Sequence, residues 1–278
     1  MSLSMAEAPL RIVSYNIRFG GGRRVPLLAA VLASLEPDVV ILQEATDPRV
    51  VERLAVDVGL PNPFYRPGWS VAALLRHRPT AVDWHAPRRA RGFLTISPDG
   101  ADLRITGVHL PAGLSSRGEF ARSRQVEIVI ATLGGRADDQ SLIVGDLNAV
   151  ARGDEPLVAG MPLWLRAWLR FDGGIRTDVL DRLARSGWRD AYRVLHPEEP
   201  GFTLPSSAPR VRLDYLLAPE RVIPRVRVCE PLVGGTLVAR ASDHLPLLAV
   251  VEASAPGAGS TLRQPQGDEI VQDPAPPT

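Results

Sequence analysis

Asn16, Glu44, His109, Asp146 and Asp214 each stand where an apolar, strand-like run of this chain gives out. Arg-Ile-Val-Ser-Tyr runs to Asn16, Val-Val-Ile-Leu-Gln to Glu44, Leu-Arg-Ile-Thr-Gly-Val to His109, Ser-Leu-Ile-Val-Gly to Asp146 and Val-Arg-Leu to Asp214. Asp243 and His244 precede the last such run, Leu-Leu-Ala-Val-Val. Carboxylates, amides and imidazoles gathered at the ends of buried strands suit metal-assisted hydrolysis, because strands fix side chains tightly and oxygen donors hold a hard divalent cation. Asp146-Leu147-Asn148 is the sharpest local signal. Residues two apart in extended chain face one side, so both polar groups can reach one phosphate or water while Leu147 anchors the core. A strand-ending Asx turn would leave the same tripeptide. Of the five histidines, His77, His85 and His196 lie in turn-like contexts and read as surface residues. His109 ends a strand, and the distant Asp214 is the better candidate to orient the ring of His244.

Composition narrows the chemistry from the other side. The chain has 278 residues, 45% of them hydrophobic, and a formal net charge of +1. That is enough to bury one large core, and a balanced charge leaves the partner open, since a local basic cleft is compatible with it. All 32 basic residues are arginine. Lysine Schiff bases and lysine general bases are therefore excluded, and phosphate contacts must come from guanidinium groups. Cys229 is the one cysteine, which excludes an intrachain disulfide and a multi-thiolate zinc site; it reads as a small buried apolar residue. No run approaches the roughly twenty apolar residues of a membrane helix, and Met1–Pro9 has no secretion core, so a cytoplasmic, monomeric protein is expected.

The elements that must position these groups follow from pattern and punctuation. A strand from Leu10, a glycine turn at Gly20–Gly22, a helix over Val25–Leu35 stopped by Glu36-Pro37-Asp38, and a strand to Glu44 open the chain. Asp47 caps a helix with Pro48 at its first position, running to about Val58. Val71–Leu75 and Val82–Trp84 read as strands around a turn at His77–Pro79, and Gly92–Ser97 with Leu103–His109 as a hairpin. A helix over Gly118–Leu133 ends at Gly134-Gly135. Later come strands at Ser141–Leu147, Leu213–Leu217, Val226–Cys229 and Leu247–Val251, with helical pieces around Trp164 and Trp168 and over Asp178–Ser186. Mixed strands with helices outside them predict an α/β sandwich, two sheets face to face under helical outer layers. One domain is expected over residues 10–253, with disordered tails at 1–9 and 254–278.

Six segments, Ser-Tyr-Asn-Ile, Val-Val-Ile-Leu-Gln-Glu, Gly-Val-His-Leu, Ile-Val-Gly-Asp-Leu-Asn, Arg-Leu-Asp-Tyr and Ser-Asp-His-Leu-Pro, occur in order from Ser14 to Pro246. Together they strongly resemble the DNase I-like endonuclease/exonuclease/phosphatase superfamily of metal-dependent phosphoesterases. The resemblance implies a four-layer αββα sandwich of two mixed sheets, with the site at one end. It implies Glu44 as principal Mg²⁺ ligand, Mn²⁺ being able to substitute, with Asn16 and Asp243 assisting. Asp146 would position or deprotonate the attacking water, Asn148 would hold water and phosphate, and His244, oriented by Asp214, would bind the scissile phosphate. His109 would stand near the leaving-group oxygen. Arg122, Arg124 and Phe202 are further candidate substrate contacts; as plain helix-face or loop residues they would need no function.

Two departures bear on substrate. Many apurinic-site endonucleases of the superfamily carry an acid where this chain has Arg18, and tyrosine where it has His109. The leading expectation is a Mg²⁺-dependent phosphodiesterase, with nucleic acid among the candidate substrates. Alternatives are a phosphomonoesterase, a phospholipid phosphodiesterase, or a catalytically silent binding module of the same fold.

Overall fold

The computed structural model describes residues 8–88, 90–113, 116–154 and 176–253, with four positions (Leu163, Trp164, Ala167 and Phe171) between 155 and 175. The tail from Ser254, residues 1–7 and most of the Trp164–Trp168 segment lie outside the described residues. Strands and helices follow in the order β1 (Leu10–Asn16), α1 (Val25–Ala33), β2 (Val39–Gln43), α2 (Pro48–Val58), β3 (Asn62–Phe64), β4 (Val71–Leu75), β5 (Ala81–His85), β6 (Phe93–Ser97), β7 (Arg104–His109), α3 (Ser116–Thr132) and β8 (Ser141–Asp146). Then come α4 (Asp178–Arg185), β9 (Trp188–Asp190), α5 (Ala191–Leu195), β10 (Asp214–Pro219), β11 (Val226–Pro231), α6 (Gly235–Ala241) and β12 (Leu247–Val251).

The strands form two six-stranded sheets, β11-β12-β1-β2-β4-β3 and β5-β6-β7-β8-β10-β9. Each is antiparallel except for one central parallel pair, β1 with β2 and β7 with β8. Strand faces alternate, and three packing layers result. Ile12, Val39, Ile41, Val71 and Ala73 meet Leu94, Ile105, Leu142, Val144 and Leu216 between the sheets. Val13, Val40 and Leu42 turn outward onto Leu28, Leu32, Val51 and Leu54 of α1 and α2. On the far side, Val108, Ile143 and Leu217 pack on Val126 and Val129 of α3 and Val179 and Leu183 of α4. The αββα sandwich is therefore produced by period-two patterning in both sheets.

Local signals explain the helix ends. The Asp47 side chain accepts a hydrogen bond from Arg49 N at 3.0 Å, Pro48 takes the first helical position, and Gly59 closes α2 at φ +74°. Helix α1 stops at Ala33, two residues before the sequence expectation, and the chain then turns through a left-handed Glu36 at φ +47° ahead of Pro37. The largest difference concerns β4 and β5. They are not partners across a turn: β4 pairs with β2 and β3 in one sheet, and β5 pairs with β6 in the other. The His77–Pro79 segment is the crossover between sheets. The short β3 and β9 and helices α5 and α6 were not anticipated, since three to seven residues carry too little periodicity.

The inward-facing registers position the chemistry. Asn16 continues the inner row of Ile12 in β1, His109 that of Ile105 in β7, Asp146 that of Leu142 and Val144 in β8, and Asp214 that of Leu216 in β10. At one end of the sandwich the inter-sheet layer thus changes from apolar to polar without leaving the register. Asp214 begins β10, in keeping with the strand expected over Leu213–Leu217 and not with the reading of it as the end of the Val-Arg-Leu run. Because β10 runs antiparallel to β8, its start meets the end of β8, with Asp214 opposite Asp146, while His109 is opposite Asp146 on the parallel side.

Candidate active site

Asp146 is the hub, only 1% exposed. Its Oδ2 accepts the amide of Asn16 at 3.0 Å and that of Asn148 at 3.0 Å, while its Oδ1 accepts Asn148 N at 2.8 Å. The same Asn16 Nδ2 lies 3.4 Å from Glu44 Oε1, so one amide spans carboxylates carried by opposite sheets. Glu44 Oε2 accepts the backbone N–H of Phe19. His244 Nδ1 donates to Asp214 Oδ2 at 2.8 Å, leaving its Nε2 3.9 Å from Asp146 Oδ2. His109 Nε2 lies 3.7 Å from the same oxygen on the other side.

Burial and charge divide the roles. Burial first, and then the neighbouring Asp214, raise the pKa of Asp146 to about 7, against the pull of His244 and the donated hydrogen bonds. Burial opposes protonation of His244, but the charge and hydrogen bond of Asp214, with Asp146 and Asp243 behind them, raise its pKa to about 10. His244 is therefore an imidazolium at neutral pH. His109 goes the other way: burial, then Arg91 and His244, lower it to about 3. It is neutral, and its approach to Asp146 is not an ion pair. One site thus holds a charged and an uncharged imidazole on either side of a carboxylate.

Backbone strain concentrates here as well. Among the described residues five non-glycine positions have positive φ, and four of them, Arg18 (+51°), Phe19 (+47°), Glu44 (+56°) and Asn148 (+47°), line this end of the sandwich. Each such residue costs on the order of 1–3 kcal/mol, which the surrounding packing must offset.

All eight residues singled out for chemistry fall at this end of the sheets, with different engagements. Asn16 offers the carboxylates its amide nitrogen, because its Oδ1 accepts Arg18 N at 2.9 Å. In this arrangement it bridges Glu44 to Asp146 rather than presenting oxygen to a cation. Asp243 sits at the rim, ion-paired with Arg18 at 3.3 Å. Arg122 is corrected: it is 5% exposed, its Nε and Nη2 both donate to Glu119 Oε2 and its Nη1 donates to Pro111 O and Gly113 O, so it braces the loop after His109 and has no free fork for phosphate. Arg124 is exposed beside a separate cleft with Phe120 and Arg91. Phe202 lines a cleft with Tyr192 and Pro231 that contains none of the eight residues.

Sequence reasoning passed over several supports. Arg91 Nη1 lies 3.1 Å from both ring nitrogens of His109 and donates to Leu110 O at 3.2 Å, and Gln125 holds its backbone from both sides. Ser242 Oγ donates to Asn16 O at 2.6 Å, tying the His244 loop to β1. Thr203 Oγ1 accepts Leu213 N at 3.1 Å, fixing the approach to Asp214. The buried Arg212, stacked 4.5 Å from the Tyr215 ring, binds Asp154 and Asp190 and clamps the loops on that side. Arg212 stood in the Arg-Leu-Asp-Tyr motif, whose spacing could have flagged it; Arg91, an arginine before a glycine, had no such signal.

The donor set suits a hard divalent cation. Oxygen donors dominate, Cys229 is buried in the inter-sheet core, and the buried Asp214 Oδ1 has no hydrogen-bond partner among the described residues. Among the described residues, Asp146, Asp214 and His244 bring potential ligand atoms within 4.8 Å of one another. A protonated His244 has no lone pair for a metal at Nδ1, however, since that nitrogen donates to Asp214. Among the described residues Glu44 forms no ion pair with an arginine or histidine; its two oxygens meet only the N–H groups of Asn16 Nδ2 and Phe19 N.

Known structures share this fold over most of the chain. A search of curated protein sequences finds no match. An AP endonuclease from Archaeoglobus fulgidus superposes with a TM-score of 0.71 at 19% identity, covering 87% of this chain and 99% of that one. A 3' phosphatase, NExo, from Neisseria bound to a product DNA hairpin gives 0.66 at 18%, covering 87% and 99%. A 3'-5' exonuclease, NExo, from Neisseria meningitidis gives 0.65 at 18%, covering 87% and 100%. These likenesses establish the fold. The family model of the Endonuclease/Exonuclease/phosphatase family matches residues 13–244, from β1 to the site histidine, and the chain belongs to that family of hydrolytic phosphoesterases.

Proposed function

We propose that the protein hydrolyses phosphodiester bonds with Mg²⁺, or Mn²⁺ in its place, bound at Glu44 with Asn16 and Asp243 beside it. The cation, when bound, neutralises phosphoryl oxygens and lowers the barrier to attack. The chain's own residues do the rest. Asp146, with a pKa about 7, is poised to orient a water and accept its proton, and Asn148 holds it in place through two hydrogen bonds. His244, kept charged by Asp214, faces the position where phosphoryl charge develops and stabilises it. Neutral His109 can supply one N–H to the departing oxygen, with Arg91 fixing its ring. The observation that carries this reading is the Asp146 hub, reached by an amide from each sheet and flanked by imidazoles of opposite charge state.

A phosphomonoester is the second reading, favoured by the likeness to a protein described as a 3' phosphatase. The test is a panel of bis-para-nitrophenyl phosphate, para-nitrophenyl phosphate, single- and double-stranded nucleic acid and phospholipids, each with Mg²⁺ and with chelator. Diester turnover that requires metal is expected. Turnover undiminished in excess chelator, with metal absence verified by elemental analysis, overturns the metal-dependent mechanism.

A further inference from the structure

The turn that follows β1 wraps Glu44. Phe19 N and Asn16 Nδ2 meet the two oxygens of its side chain, and Gly20 N donates to its backbone carbonyl at 2.9 Å. Arg18 lies inside this turn at φ +51°, a region that a long side chain enters only where its surroundings impose it. Arg24 supplies part of that constraint. Its guanidinium donates to Ile17 O at 2.9 Å, to Arg18 O and to Ala241 O, which ties the turn to the end of α6 just ahead of Asp243.

Backbone and side chain of Arg18 are both spent on candidate metal donors. Its N–H donates to Asn16 Oδ1 at 2.9 Å, and its Nε stands 3.3 Å from Asp243 Oδ2. The guanidinium carbon lies 5.5 Å from the centroid of the exposed Phe19 ring, so the phenyl face helps to hold the cation at the rim. Of the three side chains placed around the ion, two are thus engaged by one arginine, and only Glu44 is left to N–H donors alone. The Arg18 and Asp243 side chains are 49% and 36% exposed, and an ion pair so open to water is weak enough to be displaced.

We propose that Arg18 is a built-in competitor for the metal site, a resident monovalent cation that neutralises Asp243 and opposes a divalent ion at Glu44, and so sets the affinity of the site for metal. The inference rests on the metal-binding part of the proposed function and adds the residue that tunes it. Asp243 is then a shared carboxylate. It pairs with Arg18 in the metal-free protein and has to leave that pair before it can turn to an ion, while the arginine charge stays close by.

Ion binding tests this apart from turnover. Full-length wild type, Arg18→Asn and Arg18→Lys are titrated with Mn²⁺ alone, and the free ion is counted by its paramagnetic resonance signal. Asparagine tolerates the left-handed backbone and keeps the N–H on Asn16 Oδ1, so this variant should fold and lose only the cation. It should bind Mn²⁺ roughly tenfold more tightly than the wild type, the order expected when a nearby unit charge no longer opposes a divalent one. Arg18→Lys keeps the charge and should bind as the wild type does. In the wild type, the Arg18 Nε–H resonance, assigned by its absence from both variants, should shift on addition of Mg²⁺ as the contact with Asp243 opens; a merely structural surface pair would not respond. Equal or weaker Mn²⁺ binding in Arg18→Asn, equal tightening in both variants, or an Nε–H resonance indifferent to Mg²⁺ overturns the inference and leaves the metal site standing. No Mn²⁺ binding in any of the three proteins defeats the metal site and the inference with it. Tighter binding in Arg18→Asn without hydrolysis of any ester supports the inference and defeats the hydrolytic reading.

Discussion

At the scale of single residues, Asp146 concentrates the conflict between stability and chemistry. A buried carboxylate facing another carboxylate is suited to accepting a proton from water and poorly suited to a stable fold. Asp146→Asn keeps the shape and removes the charge, so turnover should fall by roughly two or more orders of magnitude, the scale of losing a general base. Stability should move the other way, and the sign follows from linkage. The folded-state pKa of Asp146 is raised from 3.8 to about 7, so the folded protein holds this proton more tightly than the unfolded chain does. In metal-free buffer its contribution to stability is therefore lost as pH rises from about 4 to 7. His244 adds a higher window: its pKa, raised to about 10, gives stability that is whole below 6.5 and lost as pH passes 10. In chelator, Asp146→Asn should thus melt a few degrees above wild type at pH 8 and level with it near pH 4; a lower melting temperature at pH 8 would refute the charge argument. His244→Ala should lose turnover on a similar scale, and the double variant little more than either single, because groups acting on one transition state are non-additive. Losses that multiply across the two would show that they work on separate steps.

At the scale of elements, the two parallel pairs do the positioning, and their spacing can be tested where β2 and β7 face each other. A Cβ on Gly107 would stand 2.7 Å from Ile41 Cγ2 across the inter-sheet layer. Gly107→Ala should therefore push apart the strands that lead to Glu44 and His109, at a cost of about 1–3 kcal/mol for overpacking. Turnover per folded molecule should drop as well, although the substitution touches no site residue; melting curves and turnover on the same preparation check both, and unchanged values would show that the sheets have slack there. This close approach was invisible in the sequence, where Gly107 is one glycine in a strand. What could be read was local: runs ending at Asn16, Glu44, His109 and Asp146, the Asp47-Pro48 cap and the glycine stop after α3. What could not be read was non-local. Whether Val71–Leu75 and Ala81–His85 pair is decided by the crossover between sheets, and the internal use of Arg122 depends on a loop eleven residues back. Asp214 could be placed near the start of a strand over Leu213–Leu217, but only the antiparallel pairing of β10 with β8 reveals that it stands opposite Asp146.

At the scale of the whole molecule, the site is a seam between two sheets that otherwise meet through apolar contacts. Asn16, Glu44 and His244 come from the sheet containing β1, and His109, Asp146 and Asp214 from the sheet containing β8. Without a cation, this end of the seam sets the Glu44 and Asp146 carboxylates against each other across one bridging amide, Asn16, beside the His244–Asp214 pair, and the facing carboxylates oppose the cohesion of the apolar end. A divalent ion bound as proposed would reverse that balance, because it would find no such convergence of donors in the unfolded chain. Mass action then stabilises the entire domain, by about 2.7 kcal/mol at a concentration one hundred times the dissociation constant. For a domain of this size each kcal/mol raises the melting temperature by roughly 2–4 °C. Saturating Mg²⁺ should therefore raise the melting temperature of the wild type by several degrees, and Ca²⁺-free chelator should reverse the gain. Glu44→Gln, which replaces the anionic ligand by an amide of nearly equal shape, should need a much higher Mg²⁺ concentration for the same shift and for activity. The two concentrations should move together, since one binding event governs both. A thermal shift that persists unchanged in Glu44→Gln would place the ion elsewhere on the molecule, and no shift in the wild type at any Mg²⁺ concentration would mean that the seam does not bind it.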